Sequence, residues 1–140
     1  MNDKTFRVGI IGADTAASWA GASHIPALAT QPHLKLAAVA TRREESAKAA
    51  AEAFGAERWY ADPYAMIEAP SIDVVTVAVK VPAHRDLVLA ALKAGKAVYS
   101  ESPLGATLAD FSPTRSPIPT WNPLGAACWA SCVRPRCWSP

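Results

Sequence analysis

The chain has 140 residues, a formal net charge of +2 and 51% hydrophobic residues, which together predict one ordinary globular domain. Because a charge this small leaves no concentrated basic face, nucleic acid is disfavoured as a partner and a small-molecule ligand is expected instead. The sequence shows no secretion-signal layout and no apolar run near the roughly 20 residues that span a bilayer, which predicts a cytoplasmic protein without membrane contact.

The first half of the chain alternates apolar runs with helix-forming segments. Residues 7–12 form a β-branched run that stops at glycine, as is typical of a strand buried on both faces of a parallel sheet. Small and apolar residues favour a helix over residues 16–30, with a break or kink at Pro26. A second strand is predicted over residues 34–41, and the helix that follows it ends at Gly55.

The second half continues this alternation. It predicts, in chain order, a strand, a helix, a strand, a helix and a strand, over residues 58–60, 63–68, 72–79, 82–94 and 96–100. Pro82 opens the last helix and Gly95 ends it, and residues 101–110 form a loop and the start of a helix. This order predicts an α/β fold with a doubly wound parallel sheet, whose five strands lie in the order 3-2-1-4-5.

The composition changes after residue 110. Residues 1–110 hold 11 basic and 12 acidic residues, whereas the last 30 hold three arginines, no acid and six of the twelve prolines. Because prolines this close together exclude a helix or a central strand, residues 111–140 are predicted to be an irregular tail, either disordered or read out of frame. No metal site is predicted from Cys128, Cys132 and Cys137, since a nearby histidine and a fourth ligand are lacking.

The first candidate site is the loop after the first strand, with the sequence GADTAA at residues 12–17. In a Rossmann domain, a sharp turn here aims backbone N–H groups and a helix N-terminus at a pyrophosphate. Gly12 and Ala17 fit the pattern G-x-G-x-x-G/A, but Asp14 stands at the second glycine, where its carboxylate repels a diphosphate unless it is turned away. The candidate cofactor contacts are Gly12, Asp14, Thr15 and Ala16. The alternative is that Gly12 only ends a strand.

The second candidate site lies at the end of the second strand. A domain that prefers NAD usually places Asp or Glu there to accept a hydrogen bond from the ribose 2′-hydroxyl. This sequence has Thr41, Arg42 and Arg43, and a hydroxyl beside two guanidinium groups suits the 2′-phosphate of NADP. The alternative is that Arg42 and Arg43 are solvated residues before a helix.

The third candidate site lies at the ends of the last two strands, where open α/β sheets bind ligands. The candidate cofactor contacts there are Val79, Val81, Pro82, His84 and Glu101. A histidine in the first turn of a helix is, however, more often only a structural or solvated residue. His24, within the first predicted helix, is expected to be packed rather than catalytic.

Five segments, taken together, resemble the glucose-fructose oxidoreductase / inositol dehydrogenase / MocA family (Gfo/Idh/MocA): VGIIG, HIPAL, VATRREESAKAAAEAFG, IDVVTVAVKVPAH and AGKAVYSESPLG. The likeness runs from about residue 7 to residue 110. Within that family, SWAGASHIPAL and VKVPAH look closest to the branch that contains the galactose-regulon repressor of yeasts, whose members can serve as nucleotide-sensing regulators.

The resemblance implies an NAD(P)-binding Rossmann domain at residues 1–110, followed in the family by an α+β domain that shapes the substrate site and usually the oligomer interface. That second domain is expected to be missing here, and the oligomer interface with it. The family's E-K-P motif supplies a lysine near nicotinamide and substrate, whereas this sequence has Glu101, Ser102 and Pro103. Serine cannot supply a cationic amine, so no catalytic residue is assigned.

The resemblance therefore implies the nucleotide-binding domain of an NAD(P)-dependent oxidoreductase that acts on a sugar, a polyol or a related hydroxyl compound. NADP is the expected cofactor, NAD is the second choice, and the chain alone is expected to be inactive. The alternatives are a non-catalytic NAD(P)-sensing regulator and a fragment without function.

Overall fold

A computed structural model describes residues 4–16 and 18–111. Five strands run through this part of the chain: β1 (Phe6–Ile11), β2 (Leu34–Ala40), β3 (Arg58–Tyr60), β4 (Val74–Val77) and β5 (Ala97–Ser100). Four α-helices connect them: α1 (Ile25–Ala29), α2 (Glu44–Phe54), α3 (Pro63–Glu68) and α4 (His84–Lys93). A π-helical turn (Ala20–His24) precedes α1, and 3₁₀ turns lie at Val81–Ala83 and Leu108–Phe111. No helix in the described residues is long and apolar enough to cross a bilayer.

The strands form one parallel sheet in the order β3-β2-β1-β4-β5, which confirms the predicted order. Ile11, the last residue of β1, pairs with Ala40 on one side and Val77 on the other, and Val77 pairs with Ser100 of β5. Tyr60, the last residue of β3, pairs with Ala40, so all five strands end in register at one edge of the sheet. This edge carries the candidate site.

Helices cover both faces of the sheet, so the predicted doubly wound α/β fold is confirmed. On one face α3 and α4 pack through Met66, Leu87 and Val88 onto the sheet core, which includes Val75 and Val77. On the other face the π-helical turn and α2 pack through small residues, Ala20, Ala50 and Ala51 among them. Because alanine side chains are short, these helices lie close to the strands, and the side chains of Ile10 and Val39 are completely buried.

The predicted helix over residues 16–30 needs a correction. Regular structure begins only with the π-helical turn at Ala20, and Pro26 lies in the first turn of α1 rather than at a break. The backbone N–H of Ile25 bonds to the carbonyl of Ala20, five residues earlier, and α1 starts at that point. Because a first-turn residue needs no intrahelical donor, proline is tolerated there.

Other observed element boundaries differ from the predicted ones by a few residues. Strand β4 covers Val74–Val77 within the predicted range of 72–79, and the segment opened by Pro82 is a 3₁₀ turn that leads into α4 at His84. The predictions for residues 112–140, including the three cysteines, lie outside the described residues, as does Ala17.

Candidate functional site

The edge where the strands end is held by backbone hydrogen bonds that continue the sheet. The N–H of Gly12 donates to Ala40 O at 2.8 Å, and the N–H of Ala78 donates to Ile11 O at 2.9 Å. The N–H of Thr41 donates to Tyr60 O at 3.1 Å, and that of Glu101 donates to Val77 O at 3.3 Å. The residues that directly follow four strands are thus fixed in one row before any ligand binds, which limits the conformational cost of binding.

Gly12 is required by the way the loop passes the end of β4. Its φ is +93°, a conformation that L side chains rarely adopt, and a Cβ atom there would lie 2.2 Å from the carbonyl oxygen of Ala78. The protein's own backbone therefore excludes any larger residue. Gly12 does more than end a strand, although the contact that requires it is with β4.

Asp14 folds back onto its own loop. Its N–H donates to Gly12 O at 3.0 Å, and its Oδ1 accepts the N–H of Ala16 at 2.8 Å. One of the backbone donors that the sequence assigned to a diphosphate is thus already used by this carboxylate. Thr15 and Ala16 are exposed, and helical structure begins only at Ala20, so no helix N-terminus directly follows the glycine.

A groove of about 410 Å³ joins this loop to the end of β2 and the start of α2. Five residues line it: Asp14, Thr41, Arg42, Arg43 and Ser46. The first four were predicted as cofactor contacts, and the structure brings them together. Arg42 and Arg43 are exposed, so their guanidinium groups can reach a ligand in the groove.

The two hydroxyls of the groove form a cluster with a backbone carbonyl. Oγ1 of Thr41 lies 2.6 Å from Oγ of Ser46, and these oxygens lie 2.9 and 3.0 Å from the carbonyl oxygen of Arg43. The sequence reasoning missed Ser46. A serine three residues after Arg43, in the first turn of a helix, is a usual partner for the carbonyl at the helix start, and that spacing was the available signal.

His84 is buried, with 1% of its surface exposed, and holds two loops together. Its Nε2 lies 2.7 Å from the carbonyl oxygen of Val79, and its Nδ1 lies 3.1 Å from that of Pro103. The predicted direct contact between His84 and a cofactor therefore does not match its placement. Because its ring nitrogens face backbone carbonyls, His84 positions the loops after β4 and β5.

The remaining predicted residues do not line the groove. Val79 lies against the glycine loop, where its Cγ1 would be 2.8 Å from a Cβ on Gly12, and Val81 and Pro82 form the 3₁₀ turn before α4. Glu101 follows β5 at the far end of the row of strand ends.

His24, which the sequence predicts to be packed rather than catalytic, contacts Glu101, and this pairing was not predicted. Its Nε2 lies 2.7 Å from Oε1 of Glu101, and its ring meets that of Tyr99 edge to face at 5.5 Å. The side chains of His24 and Glu101 are 15% and 23% exposed, so the pair is accessible from one side. Ser102, the next residue, is exposed. Nothing in the spacing of the sequence links residues 77 positions apart.

Residues 6–113 match the family model GFO_IDH_MocA, described as an oxidoreductase family with an NAD-binding Rossmann fold. This chain belongs to the Gfo/Idh/MocA family. The predicted family and its Rossmann-type domain are confirmed.

Individual relatives agree with this assignment. The chain is 36% identical over 104 residues to the myo-inositol 2-dehydrogenase of Thermotoga maritima, covering 74% of this chain and 30% of the relative. The scyllo-inositol dehydrogenase of Lactobacillus casei with bound NAD(H) and scyllo-inositol is similar in structure at a TM-score of 0.69 and 29% identity, over 79% of this chain and 32% of that one.

A third relative has NADP bound instead of NAD(H). A 3-ketoreductase from Actinomadura kijaniata in complex with TDP-benzene and NADP has a TM-score of 0.69 and 33% identity, over 76% of this chain and 33% of that one. The chain thus spans about a third of the length of these relatives.

Proposed function

We propose that this chain binds NADP, with the 2′-phosphate of its adenosine half held in the groove by Arg42 and Arg43. The observation that supports this proposal is the convergence of both exposed arginines with the hydroxyls of Thr41 and Ser46 on one groove. Guanidinium groups bind phosphate oxygens through charge-assisted hydrogen bonds. Residues 41–43 offer no carboxylate to a ribose 2′-hydroxyl, so NAD is the second choice.

The other strand ends complete the proposed cofactor site. When bound, the cofactor supplies hydride exchange at its nicotinamide ring. Gly12, Thr15 and Ala16 shape the loop beside the groove, and Val79, Val81 and Pro82 lie along the next strand end. Glu101 and its partner His24 carry polar groups at the far end of this row.

The proposed substrate is a sugar, a polyol or a related hydroxyl compound. This class rests on family membership and on relatives whose names specify inositols and a dTDP-linked deoxysugar. Ser102 stands where the family motif has lysine, so this chain has no ammonium group at that position to polarise a hydroxyl. We therefore propose that residues 1–110 act as the nucleotide-binding domain and that the 140-residue chain shows no turnover by itself.

Ser102 also favours a second candidate function, that of a non-catalytic NAD(P)-sensing regulator like the galactose-repressor branch. Loss of the lysine removes a group that catalysis needs and that nucleotide binding does not. Assays with a panel of sugars and polyols separate an enzyme from a sensor, since a sensor binds nucleotide without oxidising any of them. A fragment without function would bind neither cofactor.

Calorimetric titration of the full chain with NADP⁺ and NAD⁺ tests the proposal. NADP⁺ should bind more tightly, and Arg42→Ala or Arg43→Ala should weaken NADP⁺ binding by about 1.5 kcal/mol, the low end of the range for a charge-assisted bond because both side chains are exposed. Arg58→Ala, an exposed arginine outside the groove, is the control and should leave both affinities unchanged. Equal affinities for the two cofactors, together with unaffected Arg42 and Arg43 variants, would remove the assignment.

A further inference from the structure

The groove that holds the two arginines also contains one carboxylate. Asp14 lines it together with Thr41, Arg42, Arg43 and Ser46, although it comes from the glycine loop and they come from the β2–α2 connection. A ligand group that enters this groove between the arginines therefore meets a negative charge as well as positive ones.

The local hydrogen bonds of Asp14 determine which of its atoms can act on a ligand. Oδ1 accepts the N–H of Ala16 at 2.8 Å, and the backbone N–H is bonded to Gly12 O. Within residues 4–16 and 18–111, no hydrogen bond or ion pair reaches Oδ2. The side chain is partly exposed, so this second oxygen keeps its capacity to accept.

We propose that Asp14 is a specificity-determining residue of the groove, an assignment that rests on the cofactor binding proposed above. Its carboxylate accepts a hydrogen bond from a ribose 2′-hydroxyl and repels a 2′-phosphate, so it acts against Arg42 and Arg43 in the choice between NAD and NADP. The chain therefore accepts both cofactors, with a smaller advantage for NADP than the two arginines alone would produce.

The size of the effect follows from the exposure of the groove. A phosphate monoester carries a charge of about −1.5 to −2 near neutral pH, so a carboxylate a few ångströms away opposes its binding. The groove is open to water, which screens this repulsion strongly. Removing the negative charge should therefore tighten binding of a 2′-phosphate by roughly threefold to tenfold rather than by orders of magnitude.

The test uses two probes that differ only at the 2′ position, 2′,5′-ADP and 5′-AMP, titrated calorimetrically into the full chain and its Asp14→Asn variant. Asparagine keeps the oxygen that accepts the N–H of Ala16, so the loop turn is retained while the charge is lost. We expect 2′,5′-ADP to bind the variant roughly threefold to tenfold more tightly at low salt. Binding of 5′-AMP should be unchanged or weaker, and the gain for 2′,5′-ADP should shrink at 0.5 M NaCl, by about half or more.

A matched control exists in the same chain. Asp62 makes the same local bond, with its Oδ1 accepting the N–H of Tyr64 at 3.0 Å, but it lies outside the groove. Asp62→Asn removes the same charge and should leave both affinities unchanged. Asp14→Glu keeps the charge and should not tighten the binding of 2′,5′-ADP. If Asp14→Asn does not fold, Asp14→Ser replaces it, because the serine hydroxyl can still accept the N–H of Ala16.

The outcomes separate this inference from the function on which it depends. If the wild-type chain binds neither probe, the proposed cofactor function fails. If both probes bind and Asp14→Asn leaves their affinity ratio unchanged, the role of Asp14 fails while cofactor binding stands. A shift that Asp62→Asn reproduces would show a general charge effect and would also overturn the role of Asp14.

Discussion

The Nε2 atom of His24 lies 2.7 Å from Oε1 of Glu101 and joins the π-helical turn to the residue that follows β5. These residues are 77 positions apart, and their bond spans from the segment after the glycine loop to an edge strand of the sheet. The ring of Tyr99 packs against His24 and supports its orientation. At this end of the row of strand ends, a side-chain contact therefore adds to the backbone bond between Glu101 and Val77.

This pair should show an energetic coupling in a double-mutant cycle. His24→Ala, Glu101→Ala and the double variant, compared by urea unfolding at neutral pH, should give a coupling of about 1 kcal/mol, since both side chains are largely withdrawn from water. The matched cycle pairs Glu101→Ala with His33→Ala, an exposed histidine, and should be additive. Additivity in the first cycle as well would show that the contact contributes nothing to stability.

The fold was predictable because its signals are local. The β-branched run over residues 7–12 ends at a glycine, and the one over residues 72–79 ends shortly before Pro82. The run over residues 34–41 is similarly apolar. Each run defines a buried strand within a few residues of sequence. Parallel strands alternating with helices leave few possible strand orders, so the observed order could be anticipated. The sequence did not predict the π-helical turn before Pro26, because hydrophobic periodicity does not reveal this hydrogen-bonding pattern.

The candidate site was only partly predictable. Thr41, Arg42 and Arg43 follow a strand directly, so their position at the sheet edge comes from the strand itself. The pairing of His24 with Glu101 depends on how the chain returns to the sheet, which no short segment encodes. The side chain of His84 is buried with its two ring nitrogens within hydrogen-bond distance of two backbone carbonyls, and these carbonyls come from different loops.

Replacement of Gly12 should be far more costly than replacement of Gly55. Both have positive φ, but a Cβ on Gly12 meets the carbonyl of Ala78 at 2.2 Å, whereas a Cβ on Gly55 meets nothing within 4 Å. Gly55→Ala should therefore cost about 1–2 kcal/mol in the free energy of unfolding, the conformational penalty alone. Gly12→Ala should cost at least about 3 kcal/mol, because the clash with backbone adds to that penalty. Equal losses in urea unfolding would contradict the close approach of the loop to β4.

His84 should stabilise the chain through its two carbonyl contacts. In His84→Phe a ring of similar size remains, but the carbonyls of Val79 and Pro103 lose their partner. A carbonyl that loses a ring N–H donor should cost about 1–3 kcal/mol in unfolding free energy where it stays unsatisfied. Backbone NMR should show shifts at both loops, around residues 79–81 and 102–104. His33→Phe, at an exposed position, should change stability by less than about 0.5 kcal/mol, and a similar value for His84→Phe would refute the role given to this histidine.

Glu57 should make the stability of the chain depend on pH in the acid range. Its carboxylate bonds to Arg7 and lies 2.5 Å from Nζ of Lys35, and the hydrogen bond from Arg7, followed by that from Lys35, lowers its pKa from 4.5 to about 2. Because the pKa is lower in the folded chain than in the unfolded one, the ionised form stabilises the fold. This contribution is complete above pH 4.5 and is lost as the pH falls from 4.5 to about 2.

Glu57→Gln should therefore flatten the pH dependence of the unfolding free energy between pH 4.5 and 2, measured by urea denaturation at a series of pH values. Lys35→Gln removes one of the two partners and should flatten the same slope in part. Lys93 is an exposed lysine at the end of α4 without a contact to Glu57 in the described structure. Lys93→Gln should therefore leave the slope as in the wild type. Glu57 and its partners are partly exposed, and at 1 M NaCl the Debye length falls to about 3 Å. This salt concentration should therefore reduce the wild-type pH dependence of the unfolding free energy by roughly half or more. A Glu57→Gln variant whose slope matches that of the wild type would show that the two cations do not hold this carboxylate in its ionised form.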